Sequence, residues 1–381
     1  MRGERRGSWR ASVRAACEHV FVRWDNLKIE SEEATRLPGY RDPAVVRRFD
    51  APEALETRFY EVRAKSILNR VPEASAMPFR WTINPYRGCS HACVYCFARP
   101  THTFLGMDAG RDFEKEIVVK VNAPEVLRRE LRKPSWAGEH VAMGTNTDPY
   151  QWVESKYRLM PGIWEALRDA RNPCSVLTKS PLVLRDLALL QEIAKVTDVS
   201  ANLSVPTLEP KAWRATEPHT PHPKARLEAV AELNRAGIPT GVLIAPLMPG
   251  INDDPRQVEE ILEAAAAAGA TGIGGIALHL RGEVRGVFMD WLRSYRPDLV
   301  ARYEQLYARG AYAPAPERAR IAALLRRPGS PPPSRFQRAR DPALRGPDDR
   351  VGGLPGLRRA TQRGPSRAGP KEAAPIQSSL F

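Results

Sequence analysis

Residues 84–102 read NPYRGCSHACVYCFARPTH. Three of the chain's five cysteines, Cys89, Cys93 and Cys96, fall here within eight residues as C-x3-C-x2-C. Three soft thiolates on one loop can wrap a metal centre, and Gly88 lets the backbone turn tightly toward it. Structural zinc usually takes paired C-x2-C ligands and four protein donors, so zinc here would need His91 or His102 to complete the set. The sequence holds no second cysteine pair. A cubane cluster held by only three thiolates leaves one iron open to bind something else, and that asymmetry is the main chemical clue.

The loop directly follows the first of six β-type runs. These are residues 79–84 (FRWTIN), 140–145 (HVAMGT), 175–179 (SVLTK), 199–205 (VSANLSV), 240–246 (TGVLIAP) and 272–280 (GIGGIALHL). Between them lie helix-like stretches at 123–132, 157–171, 181–195, 223–236 and 255–268, several opening on Pro and several followed by Gly. Strands alternating with helices imply right-handed crossovers and a parallel sheet covered by helices. Eight such units usually take about 250 residues, so six in a shorter span predict an open, partial (β/α)6 barrel of the TIM type. Residues 286–307 read as terminal helices packed over it. Residues 42–70 are expected to be largely helical, with EVRAKSILNR the best amphipathic piece. The domain reading is an N-terminal extension over 1–60, partly disordered and then helical, a barrel over 61–310, and a disordered tail over 311–381.

The chain has 381 residues, 43% of them hydrophobic and 27% charged, as expected of a globular protein. Five cysteines in this length exclude a disulfide scaffold. The uncharged run 264–280 is too short and glycine-rich for a membrane span, and the Arg-rich N-terminus lacks the apolar stretch of a secretory signal. No membrane partner is expected, and the cytoplasm is the default address. The net charge of +14 sits mostly at the ends. Residues 1–25 carry six Arg against three acids, and residues 311–381 carry fourteen Lys and Arg against five acids, with twelve prolines. The tail is expected to be mobile, either as a solubilising extension or as a salt-sensitive contact for nucleic acid, with a short helix at its root over 316–327.

The C-x3-C-x2-C loop, with aromatic Tyr95 and Phe97 flanking the last cysteine, resembles the radical S-adenosylmethionine (SAM) superfamily. The wider run of motifs, NPYRGCSHACVYCFAR, GTNTDPYQ, TKS, NLSVPT and PLMPGIND after successive strands, resembles its spore photoproduct lyase-like branch over roughly residues 60–280. The resemblance implies a [4Fe-4S] cluster on Cys89, Cys93 and Cys96 that binds the amino and carboxylate groups of S-adenosyl-L-methionine at its open iron. Reduced by one electron from a flavodoxin- or ferredoxin-type donor, it would cleave SAM to methionine and a 5′-deoxyadenosyl radical. By family position, Asn146, Lys179 and Ser204 would hold the methionine and ribose, Tyr95 would pack near the adenine, and residues 247–253 would line the adenine side. The implied activity is lyase- or repair-like action on nucleic acid. The alternatives are modification of a protein or small metabolite, and a non-catalytic iron-sulfur or zinc protein that binds nucleic acid.

One departure bears on the substrate. Photoproduct lyases are expected to carry a hydrogen-donating cysteine at the end of the second strand, where this chain has Met143. Around the motifs, Asp148-Pro149-Tyr150 reads as a turn. Glu217 and Arg226 read either as a pair shared with the branch or as exposed charges at a helix start. Cys174 reads as buried filler. The last residues, Gln377-Ser378-Ser379-Leu380-Phe381, resemble the peptide by which bacterial repair proteins bind the sliding clamp, with Gln377, Leu380 and Phe381 as its anchors.

Overall fold

Six strands run parallel in one sheet, each beside the next in chain order: β5 (Trp81–Ile83), β8 (Val141–Met143), β9 (Cys174–Thr178), β10 (Val199–Ser204), β11 (Thr240–Leu247) and β12 (Ile273–Ala277). A short strand, β4 (Leu68–Arg70), adds antiparallel to β5 at one edge. Stepping one strand at a time in a single direction places every crossover on the same face, so the sheet curls into a partial (β/α)6 barrel. This computed structural model describes residues 29–326, apart from residues 50, 53–55, 74 and 76. None of the described helices is long and apolar enough to cross a membrane.

The crossover helices form where Pro fixes the first turn and a side chain caps it. Asp254 accepts from the amides of Arg256 and Gln257 at the start of α8 (Pro255–Ala267), and His222 accepts from Lys224 N at the start of α7 (Pro223–Arg235). Val258, Ile261, Leu262 and Ala265 then fall on one face of α8 and are buried against the sheet. Each fully buried aliphatic side chain of this kind contributes roughly 1.5–3 kcal/mol. The other crossovers are α2 (Ala123–Leu131) and α4 (Leu159–Asp169), then a 3-10 turn (Pro181–Asp186) leading into α5 (Leu187–Ala194). The expected helix over 157–171 forms as α4, beginning at Leu159. A turn, α3 (Glu154–Tyr157), ends at Arg158, whose φ of 50° interrupts the helical path before α4.

The described residues of 42–70 are largely extended, not helical as expected. They form β2 (Ala44–Phe49), β3 (Arg58–Val62) and β4, and with β1 (Ile29–Thr35), β6 (Tyr86–Arg87) and β7 (Glu116–Lys120) they build a second sheet in the order β1-β2-β3-β7-β6, apart from β4. Charged residues at helix-like spacing suggested otherwise. However, Val45, Val46, Phe49, Phe59, Tyr60 and Val62 favour strands, and burial in β2 alternates with a period near two. Glu61 settles the register by accepting from Arg47 at 2.9 Å and from Tyr157 OH at 3.0 Å. The helical extension is therefore a β-sheet.

The chain passes between the sheets at Asn84 and Pro85, immediately before the cysteine loop. Lys120 fastens this passage, donating from its amide to Pro85 O (3.0 Å) and from Nζ to Asn84 O (2.8 Å). At the other end, α9 (Val284–Tyr295), α10 (Val300–Leu306) and α11 (Ala315–Leu324) close the body. Ile321 is buried and Leu325 reaches the backbone of Gly275 on β12, so residues 311–326 belong to the fold rather than to the tail. The rest of the tail, including Gln377, Leu380 and Phe381, lies outside the described residues.

Candidate active site

The cysteine loop leaves the C-terminal end of β5, the end at which parallel-barrel chemistry is usually built. Gly88 turns it with a φ of 82°; a Cβ there would lie 2.9 Å from both His102 Cε1 and Phe113 O. Cys89 N donates to Phe113 O at 2.9 Å. Gln151, fully buried, clamps the loop from the GTNTDPYQ segment: it accepts from Ser90 N (3.0 Å) and donates to Gly88 O (3.1 Å). Arg99, also buried, gathers the far side. Its guanidinium donates to Ala92 O, Cys93 O, Ala109 O and Gly110 O at 2.9–3.2 Å, and to the Glu114 carboxylate. Such convergence on buried carbonyls holds a loop without regular secondary structure in one shape.

Cys89, Cys93 and Cys96 are free thiols, two buried and one half-buried. Burial pushes the Cys89 thiol up to about 12, helped by Asp148 and Cys96. It likewise raises Cys93 and Cys96, on each of which another charge acts as well. Three thiolates here would need a compensating cationic centre, and soft sulfur donors suit an iron-sulfur cluster as they do zinc. The zinc completion fits poorly. His102 Nε2 lies 2.8 Å from Glu116 O and His91 Nδ1 faces Asp148 at 3.4 Å, which leaves each ring one nitrogen for a metal, but the donors do not converge. Among the described residues no three His, Cys, Asp or Glu side chains are arranged about a single ion. A cubane instead spreads its thiolates over different irons.

Beside the loop lies a buried ionic network. Glu217 ends α6 (Pro210–Thr216) as its C-cap, and Arg226 sits on α7; both side chains are fully buried. Arg226 NH2 lies 2.7 Å from Glu217 Oε2, while Lys179 Nζ, just past β9, lies 3.7 Å from Oε1. Tyr95 OH donates to Glu217 Oε1, and the Lys179 ammonium stands 5.8 Å from the Tyr95 ring centroid. Arg226 also donates to Ser204 O and Pro221 O at 2.9 Å and to Thr220 Oγ1. Burial opposes the Glu217 charge, but Arg226 and Lys179 together hold its carboxyl below the usual range. Burial likewise opposes the Lys179 ammonium, yet Glu217 and Cys93 leave its pKa above the ordinary value. The exposed helix-start reading of Glu217 and Arg226 is thus corrected: neighbouring strands cover both.

Asp148 is more than a turn residue. Its carboxylate accepts from Tyr150 N, Thr178 Oγ1 (2.6 Å) and Lys179 N (2.7 Å), fastening the segment after β8 to the one after β9. Gly144, at φ 74°, permits this approach, because a Cβ would lie 1.8 Å from Leu177 O. Met143 ends β8 and is buried. Of the four side chains expected around SAM, Tyr95 and Lys179 meet at Glu217, and Ser204 joins them through its carbonyl. Asn146 stands apart, half-buried on the loop after β8. Arg99 and Gln151 went unread in the sequence. Their polar types adjoining the cysteine motifs were the available signal, but only the fold shows them turned inward. Cys174 begins β9, buried at the opposite end of the strand.

Residues 83–265 match the sequence model of the Radical SAM superfamily. An uncharacterized protein of Mycobacterium tuberculosis is 49% identical over 278 residues, covering 73% of this chain and 82% of that one. An uncharacterized protein of Acidianus two-tailed virus is 32% identical over 222 residues, covering 56% and 71%. Among solved structures, a spore photoproduct lyase mutant aligns with a TM-score of 0.48 at 17% identity, over 69% of this chain and 76% of that one. The chain belongs to the radical SAM superfamily.

Proposed function

We propose that Cys89, Cys93 and Cys96 hold a [4Fe-4S] cluster, that SAM binds beside it, and that the enzyme acts on nucleic acid in a lyase- or repair-like reaction. The observation that carries this reading is the placement of three free thiols, braced by Arg99 and Gln151, against the Lys179–Glu217–Arg226 network at the C-terminal mouth of the barrel. When bound and reduced, the cluster supplies the electron that cleaves SAM to methionine and a 5′-deoxyadenosyl radical. The chain's residues do the rest. Gln151 and Arg99 hold the loop in one conformation. Arg226 pairs Glu217 closely, which leaves the more distant Lys179 ammonium to meet the methionine carboxylate. Asn146 and Ser204 hold the methionine and ribose, and the Tyr95 side chain, fixed by Glu217, bounds the adenine side. The buried walls keep water from a reactive intermediate.

The nucleic-acid substrate is supported by the likeness of the GTNTDPYQ, TKS, NLSVPT and PLMPGIND run to the photoproduct lyase-like branch; the net charge of +14 sits mostly at the chain ends and speaks for recruitment rather than for the site. Met143 at the end of β8 offers no thiol hydrogen, so the reaction differs from photoproduct reversal in that step. A one-electron donor of flavodoxin or ferredoxin type completes the system. Anaerobic reconstitution with iron and sulfide, followed by reductant and SAM, tests the chemistry. Release of 5′-deoxyadenosine, lost when Cys89, Cys93 or Cys96 becomes Ala, is expected. A stoichiometric colourless metal without SAM cleavage overturns the reading. Transfer of deuterium from labelled DNA into 5′-deoxyadenosine tests the substrate class.

A further inference from the structure

Three rings stand in a row at the barrel mouth. Phe97, adjacent to Cys96, lies 6.0 Å from the His279 ring, and His279 stacks on Tyr312 at 5.7 Å with 25° between their planes. The Arg281 guanidinium lies 5.6 Å from the Tyr312 ring centroid and extends the row. Three segments far apart in the chain build it: the cysteine loop, the residues after β12, and the stretch leading into α11. Backbone pairing fixes them, since His279 and Tyr312 form an antiparallel bridge and Leu280 N donates to Ala311 O at 2.8 Å. The stacked pair Tyr303 and Tyr307, by contrast, is buried core. The row is open: Phe97 is 40% exposed and Tyr312 49%.

Large exposed rings held in register serve a flat, stackable ligand better than an aliphatic one. The row mixes aromatic faces, an imidazole and a guanidinium. That combination stacks nucleobases while offering positive charge to the adjoining phosphate. A base inside an intact duplex hides both faces in its own stack, so the fitting ligand is unpaired or turned out of the helix. We infer that Phe97, His279 and Tyr312 form a stacking platform for an unpaired nucleobase at the rim of the site, with Arg281 on the phosphate side. This rests on the nucleic-acid reading above and deepens it: the substrate is presented single-stranded or with a base extruded.

The test measures fluorescence anisotropy of a labelled oligothymidylate of about twelve nucleotides on the full-length, reconstituted protein. The comparison ligands are the same strand with abasic sites and a matched duplex. Wild-type protein should prefer the base-bearing strand, and Phe97→Ala and Tyr312→Ala should each weaken it about ten-fold. Abasic binding should be unchanged and Tyr312→Phe should restore the wild-type value. Phe104→Ala, exposed but outside the row, should bind as wild type. Retained cluster absorbance and melting temperature confirm that the variants are folded. Equal binding of base-bearing and abasic strands overturns the platform while leaving the nucleic-acid reading intact. So does loss of self-association in the ring variants with unchanged strand binding, which makes the rings a contact between copies. Wild-type protein that binds no strand and takes no deuterium from DNA overturns both.

Discussion

Two buried glutamates in this barrel look alike and are held differently. Glu154 and Glu217 are both fully buried, each beside an arginine and a tyrosine hydroxyl. Glu154 receives Tyr86 OH, the amides of Leu159 and Met160, and Arg185, at 2.5–3.1 Å. Asp186 takes a share of that arginine, so two carboxylates face one cation. Glu217 has the reverse arrangement, with one carboxylate facing both Arg226 and Lys179. The first cluster ties α3, β6 and the turn before α5 together and is closed on itself. The second reaches the cysteine loop through Tyr95 and Lys179, and in the function proposed above an anionic ligand shares the Lys179 ammonium. Similar ingredients thus make a closed lock in one place and, in the proposed function, a ligand contact in the other.

The largest test of that contrast removes each arginine. Arg226→Met leaves Glu217 buried with the Tyr95 and Thr220 hydroxyls and the longer Lys179 contact but without its close cation, and also strips Ser204 O and Pro221 O of their donor. Breaking a buried pair by removing one partner costs about 3–5 kcal/mol, measurable as a lower urea midpoint at unchanged slope. Arg185→Met should cost less, about 1–3 kcal/mol, because Glu154 keeps its tyrosine and two amide donors. Equal losses would erase the distinction. The next effect concerns binding. Lys179→Met should weaken SAM about ten-fold or more in equilibrium dialysis, with little change in stability, since Arg226 still pairs Glu217. A variant that binds SAM normally but melts early would make Lys179 part of the lock.

How much of this was legible in the sequence follows from how local each signal is. The cysteine spacing lies within eight residues, and the β/α alternation shows in Pro-started helices between β-branched runs, so both could be read directly. The pair Glu217 and Arg226 is nine positions apart in a polar stretch, EPHTPHPKARL, that resembles a solvated helix start. Its burial is decided by β9, β10 and the cysteine loop. The second sheet was misread for a similar reason. Glu61, Arg63 and Lys65 suit a helix, but Phe59 and Tyr60 pair with β7, more than fifty residues later, and that pairing overrides local propensity. The row of Phe97, His279 and Tyr312 comes from three distant segments and has no local signature at all.

The smallest expected effect is a difference of sign with pH. Arg226 and Lys179 depress the Glu217 carboxyl despite its burial, so the folded state binds its proton less readily than the unfolded chain. Its contribution is present above the unfolded value of about 4.3 and is lost as the pH falls through the lower folded value. Glu154 runs the other way. Burial outweighs Tyr86 and Arg185 and raises its carboxyl, so the folded state keeps the proton longer. Its contribution is complete below about 4.3 and declines as the pH rises through the raised value. Urea midpoints across that range should therefore show Glu217→Gln flattening the loss of stability on acidification. Glu154→Gln should flatten the decline on the neutral side. The slopes should change by about 1.4 kcal/mol per pH unit at most, since each substitution removes one titrating group. Should both variants flatten the same limb, the two carboxylates are held alike and the contrast between them fails.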